Sequence, residues 1–186
     1  MFSTGSLLFC IETKLELSGK KDYLHDTLIS TFDANHNRHQ KPHLMMIRFP
    51  SVYLADDDPD DLEFFKTGLL RLYPQVGIFL FNDGPELLNA LGSCVSSHLP
   101  YCLIFDYKMP PFGAPQLLEA TGSGTPFEAI PKIVWSTSGR QKEIDECLRL
   151  GAARYVVKPT THHELEIFLR SLQIPLPSQE SITNRR

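Results

Sequence analysis

At 186 residues the chain has room for one ordinary domain plus an appendage, and a domain of ~140 residues buries about two-thirds of the surface its unfolded chain exposes. With 42% hydrophobic residues, 22% charged residues and a formal net charge of −4, it lacks the basic excess that makes nucleic acid or an anionic membrane a default partner. Cys10, Cys94, Cys102 and Cys147 are scattered without a CxxC pair, which suits a reducing compartment. The apolar run at 7–11 has no basic residue before it, and no segment nears the ~18 consecutive apolar residues of a membrane span. Neither leader nor anchor is expected, so the cytoplasm is the default location.

Residues 1–46 read as an N-terminal extension, poorly ordered or carrying one short amphipathic helix within 15–29. His36, His39 and His43 have a spacing that a metal could use, but Asn, Arg, Gln and Lys surround them, and a solvated linker is the better reading. From 47 the pattern sharpens into a domain expected to run to 173. A short strand at 52–55 is followed by Asp58 as helix N-cap and Pro59 at the first helical position. Asp60, Asp61 and Glu63 then fill the first turn as capping and solvated acids, while Leu62, Phe65, Leu69 and Leu72 form an apolar stripe. A second strand at 76–81 ends in an Asn-Asp-Gly-Pro turn, and a second helix starts at 86. The third strand ends abruptly on Asp106, and a rigid Pro-Pro-Phe-Gly turn leads to a short helix at 116–120. A Gly-, Thr- and Pro-rich loop precedes a fourth strand at 132–135. A helix at 141–150 closes at Gly151, and a fifth strand covers 155–157. Thr161 and Glu164 form a capping box opening the last helix, exposing His162 and His163, and 174–186 reads as a disordered tail.

Five strands alternating with five helices predict an α/β domain with a parallel sheet covered on both faces, which accounts for strands such as CLIF, KIVW and YVV being apolar throughout. Ligands in such sheets bind beyond the carboxyl ends of the strands. Asp56, Asp57, Asp106, Ser136 and Lys158 all fall at those ends. Three converging carboxylates repel unless a cation joins them, and an all-oxygen set suits Mg²⁺. Lys158 adds a fixed positive charge and Ser136 a hydrogen-bond donor, so the arrangement reads as a phosphoryl site in which an Asp can itself be the acceptor.

These residues resemble the receiver domains of bacterial two-component response regulators, of the stand-alone, chemotaxis-regulator type. The motifs are ADD at 55–57, DYKMP at 106–110, WST at 135–137 and GAARYVVKP at 151–159. The resemblance implies a flavodoxin-like, doubly wound sheet of order 2-1-3-4-5. It implies Asp106 as phosphoacceptor and Asp57 as a direct Mg²⁺ ligand, with Asp56 acting partly through water and the Lys108 backbone carbonyl as a further ligand. Lys158 and Ser136 would contact the phosphoryl group, and Tyr155 would be the aromatic switch. The implied function is a single-domain response regulator that takes a phosphoryl group from a histidine kinase or phosphotransfer protein and changes a protein-binding face, with a phosphorylation-linked dimer as a further expectation. The resemblance implies no enzymatic activity beyond phosphoryl acceptance and slow self-dephosphorylation. The runner-up is a pseudo-receiver that binds partners irrespective of phosphate. One departure stands out: the turn MPPFGAP is a residue shorter than the family's usual form, with Gly113 matching its glycine.

Overall fold

The computed structural model describes residues 8–11, 26–31, 44–94 and 99–176. The chain divides into two units, the first holding the described residues up to 49 and the second spanning Pro50–Leu176. In the first, β1 (Leu8–Ile11), β2 (Asp26–Thr31) and β3 (Leu44–Arg48) form an antiparallel sheet in the order β1-β2-β3. This corrects the helix expected within 15–29 over its last four residues, which pair in β2 with β3. The β-branched Thr27, Ile29 and Thr31 alternate there, a pattern that favours extended backbone. The rest of that expected helix, and His36, His39 and His43, lie outside the described residues. Ile47 pairs with Thr27 in this sheet, so the second unit starts after the expected boundary.

The second unit carries ten elements in strict alternation: β4 (Ser51–Ala55), α1 (Pro59–Leu72), β5 (Gly77–Phe81), α2 (Gly84–Ser93), β6 (Cys102–Asp106), α3 (Ala114–Thr121), β7 (Lys132–Ser136), α4 (Gln141–Arg149), β8 (Arg154–Val157) and α5 (His162–Ser171). All strand pairs are parallel, in the order β5-β4-β6-β7-β8. Counted within the unit this is 2-1-3-4-5, with helices on both faces, as expected. The chain reverses its direction of travel across the sheet between β4 and β6, so the carboxyl ends of these two strands form the switch point.

Apolar burial fixes this sheet. On one face Val52, Leu54, Ile104 and Trp135 pack with Phe65 and Leu69 of α1 and Leu165 and Phe168 of α5. The Trp135 indole lies 5.3 Å from the Phe65 ring and 5.5 Å from that of Phe168, with its Nε1 buried and without a hydrogen-bond partner. The expectation of burial on both faces holds for β6 and β7 and fails for β8, where Arg154 and Val157 are exposed. As the last strand of the sheet, β8 is covered less completely. Ile174, expected in the tail, is buried in the core, and the Tyr101 hydroxyl donates to the Leu172 carbonyl at 3.0 Å.

Caps set the helix starts that matter for the site. Asp58 accepts from the Asp60 N–H at 2.9 Å, and Pro59 follows at the first helical position. Asp83 accepts from the Glu86 N–H at 2.7 Å, which starts α2 two residues before the expected position. Thr161 and Glu164 make the expected capping box on α5. Gly151 sits at φ +97° after α4, a left-handed conformation that glycine adopts without a Cβ clash.

Candidate functional site

Three strand ends and one helix start converge on the ammonium of Lys158. Asp56 follows β4, Asp106 is the last residue of β6, and Lys158 follows β8. Lys158 Nζ lies 2.8 Å from Asp56 Oδ2, 2.9 Å from Asp106 Oδ1 and 2.7 Å from Asp61 Oδ2. Asp56 is 1% exposed and Asp106 7% exposed, so both carboxylates meet the cation largely out of water. The backbone holds them in place: the Asp58 N–H donates to Asp56 Oδ1 at 3.1 Å and the Lys108 N–H to Asp106 Oδ2 at 2.6 Å. The Lys158 N–H donates to the Ser136 carbonyl at 2.7 Å, which ties the lysine's backbone to the end of β7.

The electrostatics follow from burial and pairing. Burial pushes the Asp56 carboxyl up to about 6, against the pull of the Lys158 ammonium. For Lys158, burial alone would favour the neutral amine, but hydrogen bonds to Asp56, Asp61 and Asp106 outweigh it and hold the group above the ordinary lysine range.

Asp57 does not join this cluster. It is exposed and lines an open cleft of about 480 Å³ with Lys108, Met109, Pro110 and Gln116. Among the described residues no three acidic, His or Cys side chains form a ready metal cage. The donors nevertheless suit a hard cation that keeps most of its waters: the side-chain donors are carboxylate oxygens, and Asp57 lines an open cleft beside Lys108.

The turn after Asp106 closes despite its short length. The Ala114 N–H donates to the Tyr107 carbonyl at 3.1 Å, and a Cβ at Gly113 would run into that same carbonyl. Pro115 stands within the first turn of α3, which starts at Ala114, two residues before the expected position.

Ser136 is buried and Thr137 exposed, and Ser136 Oγ accepts from the Ser138 N–H at 3.1 Å. Tyr155 is half-buried beside β7, and its hydroxyl donates to the Ser138 carbonyl at 2.8 Å and approaches Glu143 Oε2 at 3.4 Å. Burial, with Glu143 nearby, raises its phenol above the usual range. His162 and His163 are exposed at the start of α5.

Sequence reasoning missed two groups. In sequence Asp61 is indistinguishable from a solvated acid, because it sits in a run of acids in which any member can serve the helix end. Only the fold shows which one reaches Lys158. Tyr107 donates to Glu146 Oε2 at 3.2 Å and stacks obliquely 6.3 Å from the Tyr155 ring. Burial and Glu146 push its phenol up to about 12.

No family model matches the chain. A rice protein named two-component response regulator ORR5 is 28% identical over 110 residues, covering 59% of this chain and 78% of that protein. The Helicobacter pylori chemotaxis protein CheY1 is 34% identical over 64 residues, covering 34% of this chain and 52% of that protein. The receiver domain of Francisella response regulator 1452 superposes with a TM-score of 0.55 at 25% identity, over 66% of this chain and 95% of its own. The second unit is similar in sequence and in fold to the receiver domains of response regulators. The response regulator RPA3017 in red light signalling of R. palustris has the same fold, with a TM-score of 0.59 at 22% identity over 66% of this chain and 90% of its own. The relatives include a plant protein beside a bacterial one, so the likeness is not confined to bacterial proteins.

Proposed function

We propose that this receiver accepts a phosphoryl group on Asp106 from the phosphohistidine of a kinase or phosphotransfer protein, in a phosphorelay. The observation that carries the reading is the Lys158 ammonium held 2.9 Å from Asp106 Oδ1 at the switch point of the sheet. In the transfer, an Asp106 oxygen forms a bond to phosphorus as the phosphorus–nitrogen bond to the donor imidazole breaks. The electron pair leaves with the imidazole nitrogen, which takes up a proton from solvent. Lys158 supplies positive charge where the equatorial oxygens carry negative charge, and buried Asp56 keeps that ammonium oriented. Asp57, Asp106, the Lys108 carbonyl and, through water, Asp56 would hold Mg²⁺, whose contribution there would be positive charge against the remaining phosphoryl oxygens.

The phosphoryl signal leaves the site through β7 and β8. Ser136 Oγ is two residues from the carbonyl that holds the Tyr155 hydroxyl. Drawing Ser136 toward a phosphoryl oxygen would therefore disturb the Tyr155 anchor and change the α4–β8 surface that a downstream protein reads. The test is incubation with acetyl phosphate and Mg²⁺ followed by intact mass measurement. A base-labile phosphoryl adduct is expected in the wild type and absent in Asp106→Asn. A wild-type chain that gains no mass would overturn the reading.

A further inference from the structure

The ammonium of Lys158 carries three protons, and three carboxylates lie within hydrogen-bond distance of it. In the unphosphorylated protein the lysine is therefore saturated. To contact a phosphoryl oxygen on Asp106 it must release a partner. Asp56 is a poor choice, because its side chain is 1% exposed and Oδ2 would be left charged in the core. Asp106 itself carries the phosphoryl group and stays beside the lysine. Asp61 differs from both: its side chain is 30% exposed, it stands on the first turn of α1, and water can take the place of the ammonium.

We propose that Asp61 is a positioning residue that occupies Lys158 in the unphosphorylated receiver and is displaced by the phosphoryl group. This rests on Asp106 being the acceptor. Asp61 thus competes with the phosphoryl oxygen for one ammonium proton, and each phosphorylation event includes the breaking of the Asp61–Lys158 pair. The contact also links the site to α1, so the first turn of that helix loses its tie to the strand ends when Asp106 is modified. Removing the competitor favours the phosphorylated state. A half-exposed ion pair of this kind is worth about a threefold to fivefold effect.

The experiment compares wild type, Asp61→Asn, Asp61→Glu and Asp60→Asn in the full chain. Asp60→Asn removes the same charge one residue away and controls for general electrostatics. With acetyl phosphate below saturation, Asp61→Asn should form the adduct about threefold to fivefold faster than wild type. Asp61→Glu should fall back toward the wild-type rate, and Asp60→Asn should match it. The second readout is the ¹⁵N resonance of the Lys158 ammonium, assigned with Lys158→Arg, in the presence and absence of beryllium fluoride as phosphoryl mimic. Asp61→Asn should move this resonance in the free protein and leave it unchanged in the mimic-bound one, where the pair is already broken. Equal adduct rates in all four proteins, or the same displacement of the resonance in both states, would overturn the displacement while leaving phosphorylation intact. Absence of adduct in every variant would overturn the acceptor reading and this inference with it.

Discussion

Among the described residues two lysine side chains are largely buried in the second unit, one at each end of the parallel sheet, and they have opposite chemistry. Lys132 opens β7 and Lys158 follows β8, so parallel pairing places them at opposite edges. Lys132 is 4% exposed, and its Nζ donates to the carbonyls of Phe127 and Glu128 at 2.7 and 2.8 Å. Burial lowers its affinity for the proton, and only Glu128 opposes that. The Lys158 side chain, 8% exposed, faces three carboxylates instead, and it holds its proton more tightly than an ordinary lysine. Burial of a lysine therefore says little about function, whereas the charge of its partners says much. Neutral carbonyls make a structural staple that pins the loop before β7, and carboxylates at a switch point make the ion-pair cluster on which the proposed phosphoryl site rests.

The same isosteric substitution at both ends tests that contrast most directly. Lys158→Met should cost ~3–5 kcal/mol in urea unfolding at neutral pH, because Asp56 then carries an uncompensated charge in the core. It should also abolish any conformational response to phosphorylation. Unfolding curves that superpose on wild type would show that the carboxylates do not depend on the ammonium.

Acidity gives the next largest effect and touches only one end. The Asp56 carboxyl is raised from 3.8 to about 6 in the folded chain. Between those values the native state binds more protons than the unfolded one, so stability falls as pH rises from about 4 to about 6. Without metal the loss from this group is on the order of 2–3 kcal/mol. Above pH 6 its contribution should be flat. Lys158, with its raised value, keeps its contribution until well into the alkaline range. A metal-free stability profile that is level between pH 4 and 6 would contradict the loaded state of this pocket.

The smallest effect is expected at the other end. Lys132→Met removes two hydrogen bonds to neutral carbonyls and should cost ~1–2 kcal/mol. Adduct formation on Asp106 should be unchanged. A loss of phosphorylation in Lys132→Met would blur the distinction between staple and site.

Much of this was legible in the chain. Apolar runs ending on Asp56, Asp106, Ser136 and Lys158, alternating with helices, gave the strands, their parallel pairing and the edge where chemistry collects, while the order of the strands followed only from the family resemblance. The extension was not legible, because the alternation of β-branched Thr27, Ile29 and Thr31 spans only five residues and overlaps the end of the helix expected within 15–29, and only pairing with β3 decides between them. Asp61 escaped for a different reason. Helix capping and lysine pairing demand the same residue type, and a run of acids satisfies both on paper. The short turn after Asp106 looked irregular in sequence, yet Gly113 and the Ala114–Tyr107 hydrogen bond close it because no Cβ stands between them and the carbonyl.

Trp135 carries a practical consequence. It is the single tryptophan of the chain, it precedes Ser136 directly, and its ring is wedged between Phe65 of α1 and Phe168 of α5. Its fluorescence should be blue-shifted in the resting protein, since the indole N–H is buried without a partner. A shift in Ser136 or a loosening of α1 perturbs that environment. The molecule thus contains its own optical reporter, placed where the proposed site meets the core, and the kinetics of the switch can be followed without attaching a label.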